Sequence, residues 1–132
     1  MSMTAYNAKD CNVTFNGVYI TGLGEDMITG SKDEEMFSSS VGAQGDVVVS
    51  ENNNPLGTIS IVVQRTSPQR QMLIDAAKNG VVAPLWVENK SLGERMGGTK
   101  ARLKNLPELG HGKEADDITF EAQVFDYDVS AT

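Results

Sequence analysis

The sequence predicts a mainly β fold, a two-sheet β-sandwich or barrel with one flanking α-helix and a long protruding loop. Three observations predict it. Turn residues are frequent, with 13 glycines; apolar residues recur with the period of two that strands require; and a single segment has helical character. At 132 residues the chain has the length of one domain, so we treat 1–132 as a single unit.

The clearest local element is a hairpin near the start of the chain. Two short apolar runs, Val13-Thr14-Phe15 and Val18-Tyr19-Ile20, flank Asn16-Gly17. The Asn-Gly pair accepts the two positive φ angles of a type I′ turn, so the two runs are expected to pair. Strands around 27–31 and over 46–51 are expected next.

A second group of strands supplies the core. Over 57–66, Ile59, Ile61 and Val63 alternate with mostly polar residues, so one face of this strand belongs to the core. The remaining strands are predicted over 81–88, 94–104 and 118–129.

One amphipathic helix is predicted to start at Ser67-Pro68. This pair offers a hydroxyl cap followed by proline at the first helical position. Lys78 in the last turn and Gly80 just beyond it indicate the end of the helix. An apolar stripe around Leu73 indicates that the helix lies on a sheet.

Composition excludes several classes of protein. The chain has 18 acidic and 11 basic residues, a net charge of -7, so it makes a poor partner for nucleic acid or an anionic membrane. A single Cys11 and a single His111 exclude an internal disulfide and a four-ligand zinc site. We expect no cofactor, no metal and no membrane span, and a chain made in a cytoplasm without a secretory signal.

Catalytic motifs are weak. The run Gly93-Glu94-Arg95-Met96-Gly97-Gly98-Thr99-Lys100 nearly spells a P-loop, but threonine precedes lysine and a strand pattern follows, so a glycine-rich strand is expected. His111 is expected in a solvated loop. Asp126 and Asp128, two apart on a predicted strand, share a face. These two carboxylates are the feature that favours another class of protein, a small hydrolase. We expect no enzyme and no catalytic residues.

The remaining anomaly is apolar material where no core is expected. Met36, Phe37 and Val41 lie in a long loop rich in serine and glycine. A loop of this length with apolar residues and no partner of its own is typical of an interface.

Taken in order, these features resemble those of the small tail tube proteins of contractile-tailed phages and related phage-tail-like particles, over nearly the whole chain. A polar residue followed by Gly-Asp, a valine run, a turn and Gly-Thr-Ile-Ser is fairly specific to that group. The segments that carry the resemblance are Met3-Thr4-Ala5-Tyr6, the Asn16-Gly17 hairpin, the loop 33–45, Val47-Val48-Val49-Ser50-Glu51, the strand 57–64, and Thr66-Ser67-Pro68.

The resemblance implies a structural virion protein whose homohexameric rings stack into the hollow inner tube of a contractile tail, a conduit for genome ejection. The implied partners are further copies of the chain, with sheath, baseplate and tape measure proteins. DNA would pass through the lumen without specific binding, and an acidic wall would let it slide. The implied location is the virion tail, assembled in the bacterial host cytoplasm.

Two sets of residues are candidates for function in such a tube. The inter-subunit loop is expected to contain Glu34, Glu35, Met36, Phe37, Ser38, Ser39, Ser40, Val41 and Gln44. The lumen-facing set is expected to be Thr58, Ser60 and Gln64, which alternate with the core positions.

Two alternatives stay open beside the phage tail tube. The first is the tube of a headless phage-tail-like bacteriocin or injection system, whose tube protein would look alike. The second is a monomeric β-sandwich ligand-binding module, which could use Trp86 and Tyr127 as stacking platforms for a sugar.

Overall fold

Ten β-strands and one α-helix make up the described part of the chain, residues 8–111 and 116–131, in a computed structural model. The segment Met3-Thr4-Ala5-Tyr6 lies outside the described residues. A short 3-10 turn, Ala8–Asp10, precedes the first strand. The elements are β1 Cys11–Phe15, β2 Val18–Ile20, β3 Leu23–Lys32, β4 Phe37–Val41, β5 Val47–Glu51, β6 Gly57–Val63, α1 Arg70–Asn79, β7 Ala83–Asn89, β8 Glu94–Leu103, β9 Ile118–Val124 and β10 Asp128–Ala131.

The strands form two antiparallel sheets. Seven strands follow the spatial order β2-β1-β7-β8-β9-β6-β3, and β10 adds to the same sheet by pairing with β8. Strands β4 and β5 form a separate two-stranded sheet. The predicted mainly β fold with two sheets and one helix is confirmed. The large sheet does not close into a barrel, because within the described residues its terminal strands β2 and β3 do not pair with each other.

One hydrophobic core lies inside the curve of the large sheet. Alternate residues of β6 are buried, namely Ile59, Ile61 and Val63, as the period-two pattern predicts. Phe15 of β1, near one end of the strand order, belongs to the same buried cluster as the three β6 residues, near the other end. The sheet must therefore curve so that both ends face the same interior.

The predicted Asn16-Gly17 hairpin is confirmed. Asn16 has φ 54° and Gly17 has φ 78°, which are the two left-handed residues of a type I′ turn. Val13 pairs with Ile20 and also with Val87 on the other side, so the hairpin joins the large sheet through β7.

The helix begins later than predicted. Ser67 is buried, and its hydroxyl donates a hydrogen bond to the Thr21 carbonyl at 2.6 Å, so the helix begins at Arg70 without this hydroxyl as its cap. The predicted end is confirmed, because Gly80 adopts the left-handed conformation that closes the helix. Leu73 is fully buried, which places the helix against the core.

The last predicted strand, 118–129, is in fact two strands. The break between β9 and β10 brings Asp126 against a bend in β8, where the carboxylate accepts hydrogen bonds from the Thr99 and Lys100 backbone N–H groups, both at 3.1 Å. Gly97 at this bend has φ 136°, and a Cβ there would lie 2.0 Å from the Leu85 carbonyl oxygen. Strand β8 pairs with β7 along one edge, and along its other edge it pairs with β10 in its first half and with β9 in its second half.

Candidate functional site

The long segment predicted as a loop is a β-hairpin that projects from the fold. Strands β4 and β5, residues 37–51 with their turn, are called the arm below. The prediction of a loop over 34–45 was wrong about conformation, because the serine-rich run pairs with the valine run Val47–Glu51 along its whole length. At about 3.3 Å per residue, five residues give the arm a reach of roughly 17 Å before its turn.

A glycine turn closes the arm. The Gly42 N–H donates to the Asp46 carbonyl at 2.8 Å, and the Gly45 N–H donates to the Gly42 carbonyl at 3.0 Å. Gly45 has φ 90°, as in a three-residue hairpin loop that ends in a left-handed residue. Gln44 is exposed in this turn, at the tip of the arm.

The arm has one apolar face and one mostly polar face. Directly opposed residues share a face, so the pairs Val41 with Val47 and Ser39 with Val49 lie on the same side as Phe37. The side that carries Phe37, Val41, Val47 and Val49 is called the apolar arm face, and it also carries Ser39 and, opposite Phe37 at the root, Glu51. The other face carries Ser38, Ser40, Val48 and Ser50.

No other residue of the described ranges covers either face of the arm. All ten strand residues of β4 and β5 are exposed, with Phe37 at 54% and Val41 at 69%. Met36, just before β4, is 65% exposed. An isolated two-stranded hairpin is marginally stable in water, and this one exposes a contiguous apolar strip. Such a strip is typical of a surface that contacts another molecule.

The root of the arm is fixed to the large sheet by side-chain hydrogen bonds. The Asp33 carboxylate accepts from the Thr58 hydroxyl at 2.6 Å and from the Gln123 amide at 2.8 Å. The same Gln123 amide donates to the Gly57 carbonyl at 2.8 Å. These contacts join the end of β3 to β6 and β9, so the arm leaves the sheet in one fixed direction.

A second set of hydrogen bonds closes the other side of the root. Glu34 accepts from the Asn52 amide at 2.8 Å, and the Asn52 N–H donates to the Met36 carbonyl at 2.9 Å. The Asn54 side chain accepts from the Leu56 N–H at 3.0 Å. The two bonds of Asn52 hold the segment that enters the arm next to the segment that leaves it.

These root contacts lower the pKa of both acids. The Thr58 hydroxyl, and then the Gln123 amide, hold the pKa of Asp33 below its ordinary value of 3.8. The Asn52 amide, followed by that of Asn54, lowers the pKa of Glu34 from 4.5. Each hydrogen bond stabilises the charged carboxylate, so both acids are anionic at neutral pH.

The candidates for the lumen fall in two places. Thr58 and Ser60 lie on β6 and are half-buried on the face opposite the core residues Ile59 and Ile61. Their cross-strand neighbours on that face are polar residues of β3 and β9. The buried residues of α1 join the core and so lie on the other side of β6. Gln64 is exposed beyond the end of β6, so its assignment to the strand was wrong.

The two aspartates predicted to share a face of one strand lie in different elements, Asp126 in the turn after β9 and Asp128 in β10. The Asp126 carboxylate accepts from the Thr99 hydroxyl at 2.5 Å as well as from two backbone N–H groups. The Thr99 hydroxyl, together with these N–H groups, lowers the pKa of Asp126. Asp126 therefore serves as a structural acceptor at the β8 bend, while Asp128 begins the next strand.

His111 lies in an exposed loop beside a permanent cation. Its Nδ1 atom is 3.4 Å from the Arg65 guanidinium, which also donates to the carbonyl oxygens of Gly110 and Asp116. Arg65 thereby ties this loop to the end of β6. Among residues 8–111 and 116–131, no three His, Cys, Asp or Glu residues lie close enough to hold a metal ion.

The two aromatic rings suggested as a sugar platform lie on different sides of the sheet. Trp86 is half-buried on the outer face, where the Arg95 guanidinium lies 3.7 Å from the ring centroid. Tyr127 packs against the core side, with its ring over Gly57 and its hydroxyl 3.8 Å from the Met96 sulfur. Burial raises the pKa of Tyr127. The two rings therefore cannot stack on one sugar.

The sequence did not reveal a cleft where the core reaches the surface. It has a volume of about 390 Å³ and lies between β3 and the strands β1, β7, β8 and β10. Its apolar lining includes Ile28, Val87, Met96 and Val129. The pairs Val87 with Met96 and Met96 with Val129 show that these residues share the core-facing side of the sheet.

Comparison with solved structures gives a match over the full chain. The fold is similar to the anti-feeding prophage cap, a tube-terminating cap solved by cryo-electron microscopy, with a TM-score of 0.65 and 9% sequence identity, covering 100% of this chain and 95% of that chain. At this identity the likeness concerns the fold. No curated protein matches the chain.

The sequence also matches a family of known role. The family model described as the bacteriophage PhiTE tail tube protein matches residues 7–129. Within the described residues, no helix is long and apolar enough to cross a membrane. The projecting arm, the mainly β fold and this match over most of the chain agree, and the chain belongs to the phage tail tube family, a family of structural tail proteins.

Proposed function

We propose that the chain forms homohexameric rings that stack into the hollow inner tube of a contractile phage tail. The observation that carries this proposal is the arm, which exposes a strip of large apolar side chains that no other described residue covers. Burying a large apolar side chain is worth roughly 1.5 to 3 kcal/mol. A copy of the arm in every subunit multiplies that gain around each ring.

The unpaired edges of the large sheet support ring formation. Strand β2 ends the strand order, with Tyr19 64% exposed, and β3 ends it on the other side. An unpaired edge is a template for pairing with another chain. A ring uses two different surfaces of each subunit, and the two ends of one sheet provide such a pair.

The polar face of β6 is proposed to line the lumen, with Thr58 and Ser60 toward the passing genome. The chain carries a net charge of -7, and an acidic tube repels DNA and lets it slide without specific binding. The sheath would surround the tube, with baseplate and tape measure proteins as further partners. Assembly would take place in the bacterial host cytoplasm.

The native mass tests the ring directly. Light scattering on the purified chain is expected to give rings of about 85 kDa, six times the 14.2-kDa chain, or larger stacks. A stable monomer at high concentration would contradict the proposal and return the ligand-binding module to consideration.

A second candidate is the tube of a headless phage-tail-like particle. The similarity in fold to the anti-feeding prophage cap favours retaining it. The two candidates differ in cargo, so nuclease-protected DNA in the purified native particle would identify the phage, and particles without a head or DNA would identify the alternative.

A further inference from the structure

We propose that the cleft at the open end of the core receives the apolar arm face of a second copy of this chain. The inference rests on the proposed function, because it names the surface that the arm contacts in the assembly. The cleft is mainly apolar, with Asn89 and Glu94 among its polar lining residues, and the arm face is mainly apolar, with Glu51 at its root. Both surfaces are exposed, and they belong to different regions of the subunit.

The cleft is an extension of the hydrophobic core that residues 8–111 and 116–131 leave open. Val129 pairs with Met96 and therefore points to the core-facing side of the sheet, yet it is 59% exposed. Val87 on the same row is buried. The row Val87, Met96 and Val129 thus runs from the buried core into solvent, and no described side chain covers Val129 at its outer end.

The arm of the same chain does not provide that cover. The arm and Val129 are exposed together in one subunit, while the Asp33 and Glu34 hydrogen bonds fix the direction of the arm at its root. A second copy supplies an identical arm. One contact between the arm of one subunit and the cleft of another covers both surfaces, and it can repeat through a whole assembly.

The backbone next to the cleft also suits an incoming strand. Strand β10 pairs with β8 on one side and with no other described strand on its second side. Both strands of the arm likewise have one unpaired edge. Addition of a strand to such an edge supplies main-chain hydrogen bonds while alternate side chains enter the pockets beside it.

A disulfide test separates the two faces of the arm. In a Cys11→Ala background, one chain carries Val49→Cys on the apolar arm face, and a second, affinity-tagged chain carries Val129→Cys in the cleft. The two are mixed, assembled, oxidised and run on a non-reducing gel, with particles imaged by negative stain. We expect a cross-link between tagged and untagged chains, and little of it from the matched control Ser50→Cys on the opposite arm face.

Each other outcome contradicts the inference. Particles that form without this cross-link, or with as much from Ser50→Cys, would overturn it and leave the tube itself standing. A cross-link from Tyr6→Cys in place of Val49→Cys would assign the cleft to the N-terminal segment. Absence of any assembly in the unmodified chain would contradict the tube proposal and this inference together.

A charge pair provides an independent check on the same contact. Val49→Lys or Val129→Glu alone is expected to abolish assembly, because a lone charge would enter an apolar contact. Because both side chains are more than half exposed, we expect each variant to keep the fold, and thermal unfolding checks this. The two changes together are expected to restore assembly, and failure of the double variant to assemble better than either single variant would overturn the contact.

Discussion

The Asp33 carboxylate accepts a hydrogen bond from the Thr58 hydroxyl at 2.6 Å, and this contact joins the root of the arm to the polar face of β6. This hydrogen bond, with the one that Gln123 of β9 donates to the same carboxylate, connects the proposed inter-subunit contact to the proposed lumen wall. The direction of the arm therefore depends on the polar face of β6, which we propose to face the channel.

Replacement of Asp33 by asparagine is expected to loosen the arm. The carboxylate accepts from Thr58 and Gln123 at once, and an amide has one acceptor oxygen in place of two. Hydrogen exchange of the arm amides should become faster while exchange in β6 and β9 stays slow. Glu35→Gln, at an exposed carboxylate nearby, is the control, and equal exchange in both variants would show that Asp33 does not hold the root.

Stability is expected to fall in acid. The pKa values of Asp33, Glu34 and Asp126 are all lowered in the folded chain by hydrogen bonds to the carboxylates. Carboxylates with a lowered pKa contribute stability that is complete above their unfolded values and is lost as pH falls through the folded ones. Urea midpoints should therefore be steady near neutral pH and drop below about pH 4.

Asp126→Asn isolates one of these groups. It should cost roughly 1 kcal/mol of unfolding free energy at neutral pH, because one of the two acceptor oxygens at the β8 bend becomes an amide nitrogen. It should also make the fall in acid shallower, since one lowered pKa is gone. Urea unfolding at neutral and acidic pH measures both effects, and an unchanged slope in acid would show that Asp126 contributes nothing to it.

Gly97→Ala is expected to be strongly destabilising. A Cβ there would lie 2.0 Å from the Leu85 carbonyl oxygen, and the φ of 136° is outside the range of other residues. We expect a loss of about 2 to 4 kcal/mol in urea unfolding.

Gly17→Ala is the matched control for that glycine. It also has a positive φ, but no atom lies within 4 Å of the added Cβ. Its cost should be that of the backbone conformation alone, about 1 kcal/mol. Equal losses at the two positions would show that the contact with Leu85 does not matter.

Met36→Ser with Phe37→Ser is expected to leave the protomer folded and to impair assembly. Both side chains are more than half exposed, so the change in unfolding free energy should stay within about 0.5 kcal/mol. Light scattering should show a shift toward monomer, and the control Ser38→Ala with Ser40→Ala on the other face should assemble. Loss of the fold in the first variant would place Met36 and Phe37 in the core of the protomer.

If β6 lines the lumen, a cysteine placed at Ser60 is expected to be protected from large labelling reagents once the tube has formed. In a Cys11→Ala background, Ser60→Cys should react with a small maleimide in the free protomer and in the tube. A maleimide carrying a long polymer should react much more slowly in the tube, because it must enter from the ends. Equal rates with the large reagent would place β6 on the outside.

Local patterns predicted the elements that depend on neighbours in sequence. The Asn16-Gly17 turn, the alternation of Ile59 and Ile61 and the end of the helix at Gly80 all rest on backbone conformations or periods that a few residues determine. Other features depend on contacts with residues far away in the sequence, and the local pattern did not predict them. The Ser67 hydroxyl bonds Thr21, 46 positions away, and so does not cap the helix.

The arm illustrates the same limit at the candidate site. Apolar residues at 36, 37 and 41 indicated an exposed contact surface, but β4 lacks a period-two pattern of its own because serines fill its centre. The valine run Val47–Glu51 was the available signal for a partner strand. The root could not be predicted, since Asp33 and Gln123 are 90 positions apart.

Negative-stain electron microscopy of the purified chain tests the central claim most directly. The account predicts hollow tubes or end-on rings whose class averages have six-fold symmetry. Particles of the Met36→Ser, Phe37→Ser variant should be fewer and shorter. Dispersed single subunits at high concentration, or a closed assembly without a channel, would contradict it.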